Sequence, residues 1–147
     1  MIYMNKSPEA LEGFFGVIES GCFYVPLDEE MPKRRIELII ENTKARVIIC
    51  DQENLKRVKE LPFDGEIMLH EELAKKREDK EKLDKVRRTA LDTDPLYVLF
   101  TSGSTGMPKG VVGHHRGVID YIDQLSAVLD FDEESVSVSY THLRAHE

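Results

Sequence analysis

Between Thr101 and Gly110 the sequence reads TSGSTGMPKG, ten residues that include three glycines, four hydroxyl side chains and one lysine. These residue types suit one task, the holding of a multiply charged anion. Glycines free the backbone so that successive N–H groups can converge on one point. The hydroxyls of Thr101, Ser102, Ser104 and Thr105 donate further hydrogen bonds, and Lys109 supplies a positive charge. A phosphate chain answers to all three features. The Walker A pattern GxxxxGK[ST] is not met, because Pro108 stands where its second glycine belongs and Gly110 rather than a hydroxyl residue follows Lys109. A flexible Ser/Gly linker explains the composition but not the Met-Pro-Lys-Gly ending directly after an apolar strand.

The elements that must position this loop alternate along the chain. Ser7 caps a helix with Pro8 at its first position and Leu11, Phe14, Phe15 and Ile18 on one stripe, and Gly21 ends it. CFYVPL is a strand candidate stopped at Pro26, and Pro32 opens a helix carrying Ile36, Ile39 and Ile40. RVIIC is a strand, residues 52–61 a helix, and EIMLH a further strand. The run Leu96 to Phe100 is apolar throughout, as expected of a strand buried on both faces at the centre of a parallel sheet, and the loop leaves its C-terminal end. A short strand at Val111 and Val112 and an amphipathic helix marked by Val118, Tyr121, Ile122, Leu125 and Leu129 follow. The fold expected is α/β, three-layered with a mainly parallel sheet, and its ligands belong at the C-terminal strand edge, where the loop lies. Residues 71–89, dense in both charge signs, read as a solvated helix or linker without assigned function.

The chain's 147 residues amount to one ordinary domain or a piece of one, and its 20 basic against 28 acidic residues give a formal charge of −8. That balance argues against nucleic acid or an anionic membrane as a partner. No apolar stretch approaches the roughly 18 residues of a membrane span. Cys22 and Cys50 each sit in an apolar run and read as small buried hydrophobes of a reduced, cytoplasmic protein.

LYVLFTSGSTGMPKGVVGHHRGV resembles the signature of the adenylate-forming, or AMP-binding, superfamily. Upstream, ESGCFYVPLDEEMPKRRIELIIENTKARVIICD is similar to a second block of the same family, built around Tyr-Val-Pro-Leu-Asp. This form resembles the amino-acid adenylation domains of nonribosomal peptide synthetases and carrier-protein ligases more than fatty acyl-CoA ligases. The resemblance implies that ATP and a small carboxylate form an acyl-adenylate, with transfer to a thiol of a phosphopantetheine carrier protein or coenzyme A. Carried onto this sequence, Thr101, Ser102, Gly103, Ser104, Thr105 and Gly106 would wrap the β- and γ-phosphates. Lys109 would be catalytic, offsetting charge on the departing pyrophosphate, and Mg2+ would bridge the phosphates. His115 and Arg116 also match the family pattern but read as a structural or solvent-facing pair, and no mechanism attaches to His114. An acyl-CoA or aryl-acid ligase and a non-catalytic nucleotide-binding module are the alternatives.

Members of this superfamily are several-fold longer. The resemblance therefore implies a partial adenylation domain over residues 1–136, with Met1 an internal methionine of the family pattern and with the acceptor pocket and the mobile C-terminal domain absent. The chain alone is accordingly expected to be inactive. From Val138 onward VSYTHLRAHE leaves the family pattern and is similar to the conceptual translation of an adapter used in sequencing libraries, so residues 137–147 read as a non-native tail. His142 and His146 stand four apart in that tail, and with no third ligand they are not taken as a metal pair.

Overall fold

A computed structural model describes residues 1–101, 107–129, 132, 134 and 135. Four short strands, β1 (Ile2–Tyr3), β2 (Pro26–Leu27), β3 (Val47–Cys50) and β4 (Glu66–Leu69), form a sheet of order β2-β1-β3-β4, parallel throughout. Helices α1 (Pro8–Glu19) and α2 (Lys33–Thr43) supply two of the crossovers. The short helix α3 (Leu55–Lys59) lies between β3 and β4, and α4 (His70–Leu73) directly follows β4.

The alternation of side chains along each strand divides the core into two halves. Ile2, Met4 and Ile49 face one way and pack with Ala10, Phe14 and Val17 of α1. Met1, Tyr3, Ile48 and Cys50 face the other way, against Ile36, Ile39 and Ile40 of α2 and Val58 of α3. Helices on both faces of a parallel sheet are the three-layer arrangement expected. Full burial of a side chain such as Ile39 or Ile48, both at 0% exposure, stabilises by about 1.5–3 kcal/mol.

The helix boundaries follow local chemistry. Ser7 Oγ accepts the Ala10 N–H at 3.2 Å and Pro8 opens α1. Gly21, at φ 76°, carries the chain out in the left-handed region. It is doubly constrained, because a Cβ there would lie 2.8 Å from Val86 Cγ1 on α5 (Lys80–Thr89). The charged segment is thus docked on the end of α1, and Arg87 Nε and Nη2 reach Glu19 Oε2 at 3.0 and 2.8 Å. The helix expected over residues 52–61 is shorter, since Asp51 Oδ1 accepts the Asn54 N–H at 2.8 Å and holds a turn before Leu55.

Two expectations are corrected. The run at Leu96 to Phe100 is not the centre of the parallel sheet. It lies in β5 (Pro95–Thr101), which pairs antiparallel with β6 (Lys109–His114) in a separate two-stranded sheet, with Val98 buried and Leu99 46% exposed. The strand expected at CFYVPL is reduced to β2 and a single bridge at Tyr24, because Pro26 has no N–H with which to continue a ladder on that side. Among the described residues no helix is long and apolar enough to cross a membrane.

Cys22 also departs from expectation, being exposed, whereas Cys50 is fully buried in β3. Burial, reinforced by Asp51 and Glu71, pushes the Cys50 thiol up to about 11. A raised value leaves the thiol neutral and unreactive until the pH approaches it. Iodoacetamide at about pH 8 should therefore alkylate Cys22 of the native chain and spare Cys50 until denaturant is added. Peptide mass spectrometry reads both sites, and native labelling of Cys50 at the rate of Cys22 would refute the assigned core.

Candidate active site

The glycine-rich segment is the connection of a β-hairpin. Thr101, the last residue of β5, lies opposite Lys109, the first residue of β6, and Thr101 Oγ1 donates to the Lys109 carbonyl at 3.5 Å. Both are exposed. Ser102, Gly103, Ser104, Thr105 and Gly106 lie outside the described residues, as do residues 136–147 with His142 and His146. Of the predicted site, the structure therefore brings together Thr101 and Lys109, at the two ends of the loop. Pro108, between the loop and β6, is buried.

What fixes this hairpin is its join to the parallel sheet. Tyr24 N–H donates to the Leu96 carbonyl at 3.1 Å and Val98 N–H donates to the Tyr24 carbonyl at 2.9 Å, a single parallel bridge. Further along β5, Arg35 Nη2 from the first turn of α2 donates to the Phe100 carbonyl at 3.0 Å. β5 thus runs in the same direction as β2, and its C-terminal end points to the sheet edge at which β1 and β2 also end. At that edge lies a cleft of about 910 Å³ lined by residues that include Met4, Lys6, Phe14 and Asp28.

Side-chain packing sets the hairpin's register. The ring of Tyr97 lies over Gly113, so closely that a Cβ there would stand 2.3 Å from Tyr97 Cζ. Gly110 is covered in the same way, with Val98 Cγ1 at 2.9 Å and Phe100 Cζ at 3.2 Å from the position of a Cβ. Tyr97 in turn approaches Tyr24, ring centroids 6.0 Å apart, and Tyr24 stacks on Phe14 of α1 at 4.5 Å. An aromatic row therefore runs from α1 to β6. Burial first, and then Tyr97, raises the Tyr24 phenol above its ordinary value, so it stays neutral at physiological pH.

At the end of β6, His114 has a structural role that its sequence position did not reveal. Its Nδ1 accepts the Gly117 N–H at 3.1 Å and caps α6 (His115–Val128). The backbone N–H groups of His115 and Arg116 donate to the Asp94 and Asp92 carbonyls at 3.3 and 2.7 Å. The Arg116 guanidinium stands 3.9 Å from Asp92 Oδ2 with both side chains mostly exposed. The short contacts of this pair are thus made by its backbone, and the Arg116 side chain faces solvent.

The sequence profile described as AMP-binding enzyme matches residues 1–144. The chain belongs to the AMP-binding enzyme family. It is similar to N-(5-amino-5-carboxypentanoyl)-L-cysteinyl-D-valine synthase of Penicillium rubens, 33% identical over 138 residues that make up 92% of this chain and 4% of that protein. Among solved structures, McyG A-PCP complexed with phenylalanyl-adenylate superposes with a TM-score of 0.74 at 23% identity, over 88% of this chain and 22% of that one. A fatty acid AMP ligase from Legionella pneumophila superposes with a TM-score of 0.69 at 20% identity, over 91% and 24%. These likenesses show the AMP-binding fold. The chain spans a small part of each of these proteins.

Sequence reasoning found the loop but missed Arg35, Tyr24 and the glycine-aromatic pairs. The signal for the last was the placing of Gly110 and Gly113 on either side of Val111 and Val112 in a strand opposite Tyr97 and Phe100. No left-handed conformation demands glycine at 113, and the three atoms nearest to a Cβ there all belong to the Tyr97 ring. Gly113→Ala should cost about 1–3 kcal/mol by overpacking, and much less in a Tyr97→Ala background. Chemical denaturation of the four proteins of that cycle measures the coupling. Equal costs in both backgrounds would show that the ring does not set the register.

Proposed function

We propose that this chain carries the phosphate-binding part of an ATP-dependent, carboxylate-activating enzyme, with an amino acid as the acid. The observation that carries the reading is the match of the AMP-binding profile across residues 1–144, taken with a hydroxyl- and glycine-rich loop whose two ends, Thr101 and Lys109, are paired. In the reaction a carboxylate oxygen attacks the α-phosphorus of ATP. The bond from that phosphorus to the bridging oxygen breaks, and pyrophosphate departs with the electron pair. Thr101, Ser102, Gly103, Ser104, Thr105 and Gly106 hold the β- and γ-phosphates, and Lys109 Nζ offsets the charge that develops on the leaving group.

Among the described residues no group of three His, Cys, Asp or Glu side chains stands together. Mg2+ would enter with ATP as the counter-ion of its phosphates, which is the chemistry it supplies. The acyl group then passes to a thiol, on a carrier protein or coenzyme A, as AMP leaves. Such a reaction fits a cytoplasmic setting, where an exposed thiol such as Cys22 stays reduced.

The choice of an amino acid is supported by the Tyr24 to Asp28 stretch, YVPLD, and by the likeness to a synthase named for a product that contains cysteinyl and valine units. The fold does not discriminate, since a fatty acid AMP ligase shares it. The chain spans 4% of that synthase and 22% of the McyG structure, and the residues that orient the carboxylate are proposed to lie outside these 147 residues; positioning of that kind accounts for roughly 7–11 kcal/mol of a barrier. The 147-residue chain alone is therefore proposed to be inactive.

ATP–pyrophosphate exchange with a panel of amino, aryl and fatty acids tests the reading on the full reading frame that contains these residues. Exchange dependent on an amino acid is expected from that protein and none from the 147-residue chain. Lys109→Ala should lower the rate on the order of 100-fold and leave the ranking of acids unchanged, because the lysine meets only the phosphate end. Exchange by the short chain, or a changed ranking in the variant, would contradict the corresponding part.

A further inference from the structure

We infer that Arg35 is a positioning residue for ATP, acting through the backbone of the strand that launches the loop; the inference rests on the phosphate-loop reading above. Along β5 alternate residues present their backbone groups to the side of Tyr24. The Leu96 carbonyl and the Val98 N–H are both used there by Tyr24, at 3.1 and 2.9 Å. Continuing a parallel ladder would require residue 26 to donate to the Val98 carbonyl, and residue 26 is a proline without an N–H. The neighbouring strand therefore stops holding β5 at Val98. The following carbonyl on that side belongs to Phe100, and Arg35 takes it with Nη2 at 3.0 Å across 65 positions of sequence.

A guanidinium thus stands where a strand neighbour would have donated. Because the donor is charged, the bond is stronger than the amide it replaces. Arg35 is half-buried in the first turn of α2, and the next residue, Ile36, is 2% exposed in the core. The arginine is therefore mounted on a rigid base. Its acceptor immediately precedes Thr101, the first of the residues assigned to phosphate. Without this bond, the last fixed point before the loop on the inner side of β5 moves back to Val98. ATP held at Thr101 and Lys109 would then have to fix the end of β5 itself, and that cost appears in ATP binding rather than in the carboxylate site.

The test compares Arg35→Ala and Arg35→Lys with the unmodified protein, in the full reading frame that contains these residues. Binding of ATP is measured by calorimetry, exchange kinetics with the preferred acid give both KM values, and thermal melting monitors folding. Arg35→Ala is expected to weaken ATP binding and raise KM for ATP about tenfold, the loss of one charge-assisted bond. KM for the carboxylate should stay unchanged. Arg35→Lys, which restores a cationic donor, should recover part of the ATP affinity and guards against a misfolded alanine variant. Unchanged ATP binding in both variants, or ATP and carboxylate KM values rising together, overturns the inference. Should the unmodified protein bind ATP without any exchange, the adenylation reading fails while the binding comparison still decides the role of Arg35. If the unmodified protein binds no ATP, both fall.

Discussion

Among the described residues, a narrow backbone join fastens the hairpin that carries the glycine-rich segment to the parallel sheet. Two hydrogen bonds at Tyr24 and one from Arg35 to Phe100 hold β5 against the parallel sheet. Every other feature of the candidate site depends on that join, because Thr101 and Lys109 inherit their positions from β5 and from its partner β6. The join is narrow for a chemical reason. Pro26, the first residue of β2, lacks the N–H that would have extended the ladder.

Side chains reinforce what the backbone leaves weak. The row Phe14, Tyr24 and Tyr97 links α1 to the hairpin, and its last ring lies on Gly113. Aromatic rings over strand glycines bury apolar surface that glycine alone cannot offer, and they fix which residues face each other. The parallel sheet is organised differently, with a double-sided core in which Ile39 and Ile48 are fully buried. The hairpin and α6 expose more apolar surface, including Val111, Val112, Ile119, Tyr121 and Ile122. Exposed apolar surface of that kind favours association in solution.

Periodicity and capping made α1, α2, β3 and β4 legible as elements, and Ile36, Ile39 and Ile40 answer directly to the core; the expected stripe of α1 is corrected, since Leu11 and Phe15 are exposed at 55% and 65% while Ala10, Phe14 and Val17 pack inward. The loop was legible from composition, since few tasks combine glycine, hydroxyl and lysine so densely. The location of β5 was not. An apolar run such as Leu96 to Phe100 records how much surface wants cover and not what covers it, so a hairpin strand packed on glycines looked like a central strand. Arg35 was invisible for a related reason. A single arginine in a charged first turn, KRR, carries no periodic signal, and its role appears only when Phe100 is brought beside it. Cys22 shows the converse error, an apolar neighbourhood in sequence around an exposed thiol.

The strand leading into the glycine-rich segment is fastened to the parallel sheet at Tyr24. Native-state hydrogen exchange of the Val98 amide tests this fastening most directly. That N–H donates to the Tyr24 carbonyl at 2.9 Å, much as the Ile49 N–H inside the parallel sheet donates to the Met1 carbonyl at 2.9 Å. The two amides should therefore exchange in the same slow class, opening only with the sheet. A Val98 amide that exchanges as fast as those of exposed loops, while Ile49 stays protected, would show that the hairpin is not fastened there.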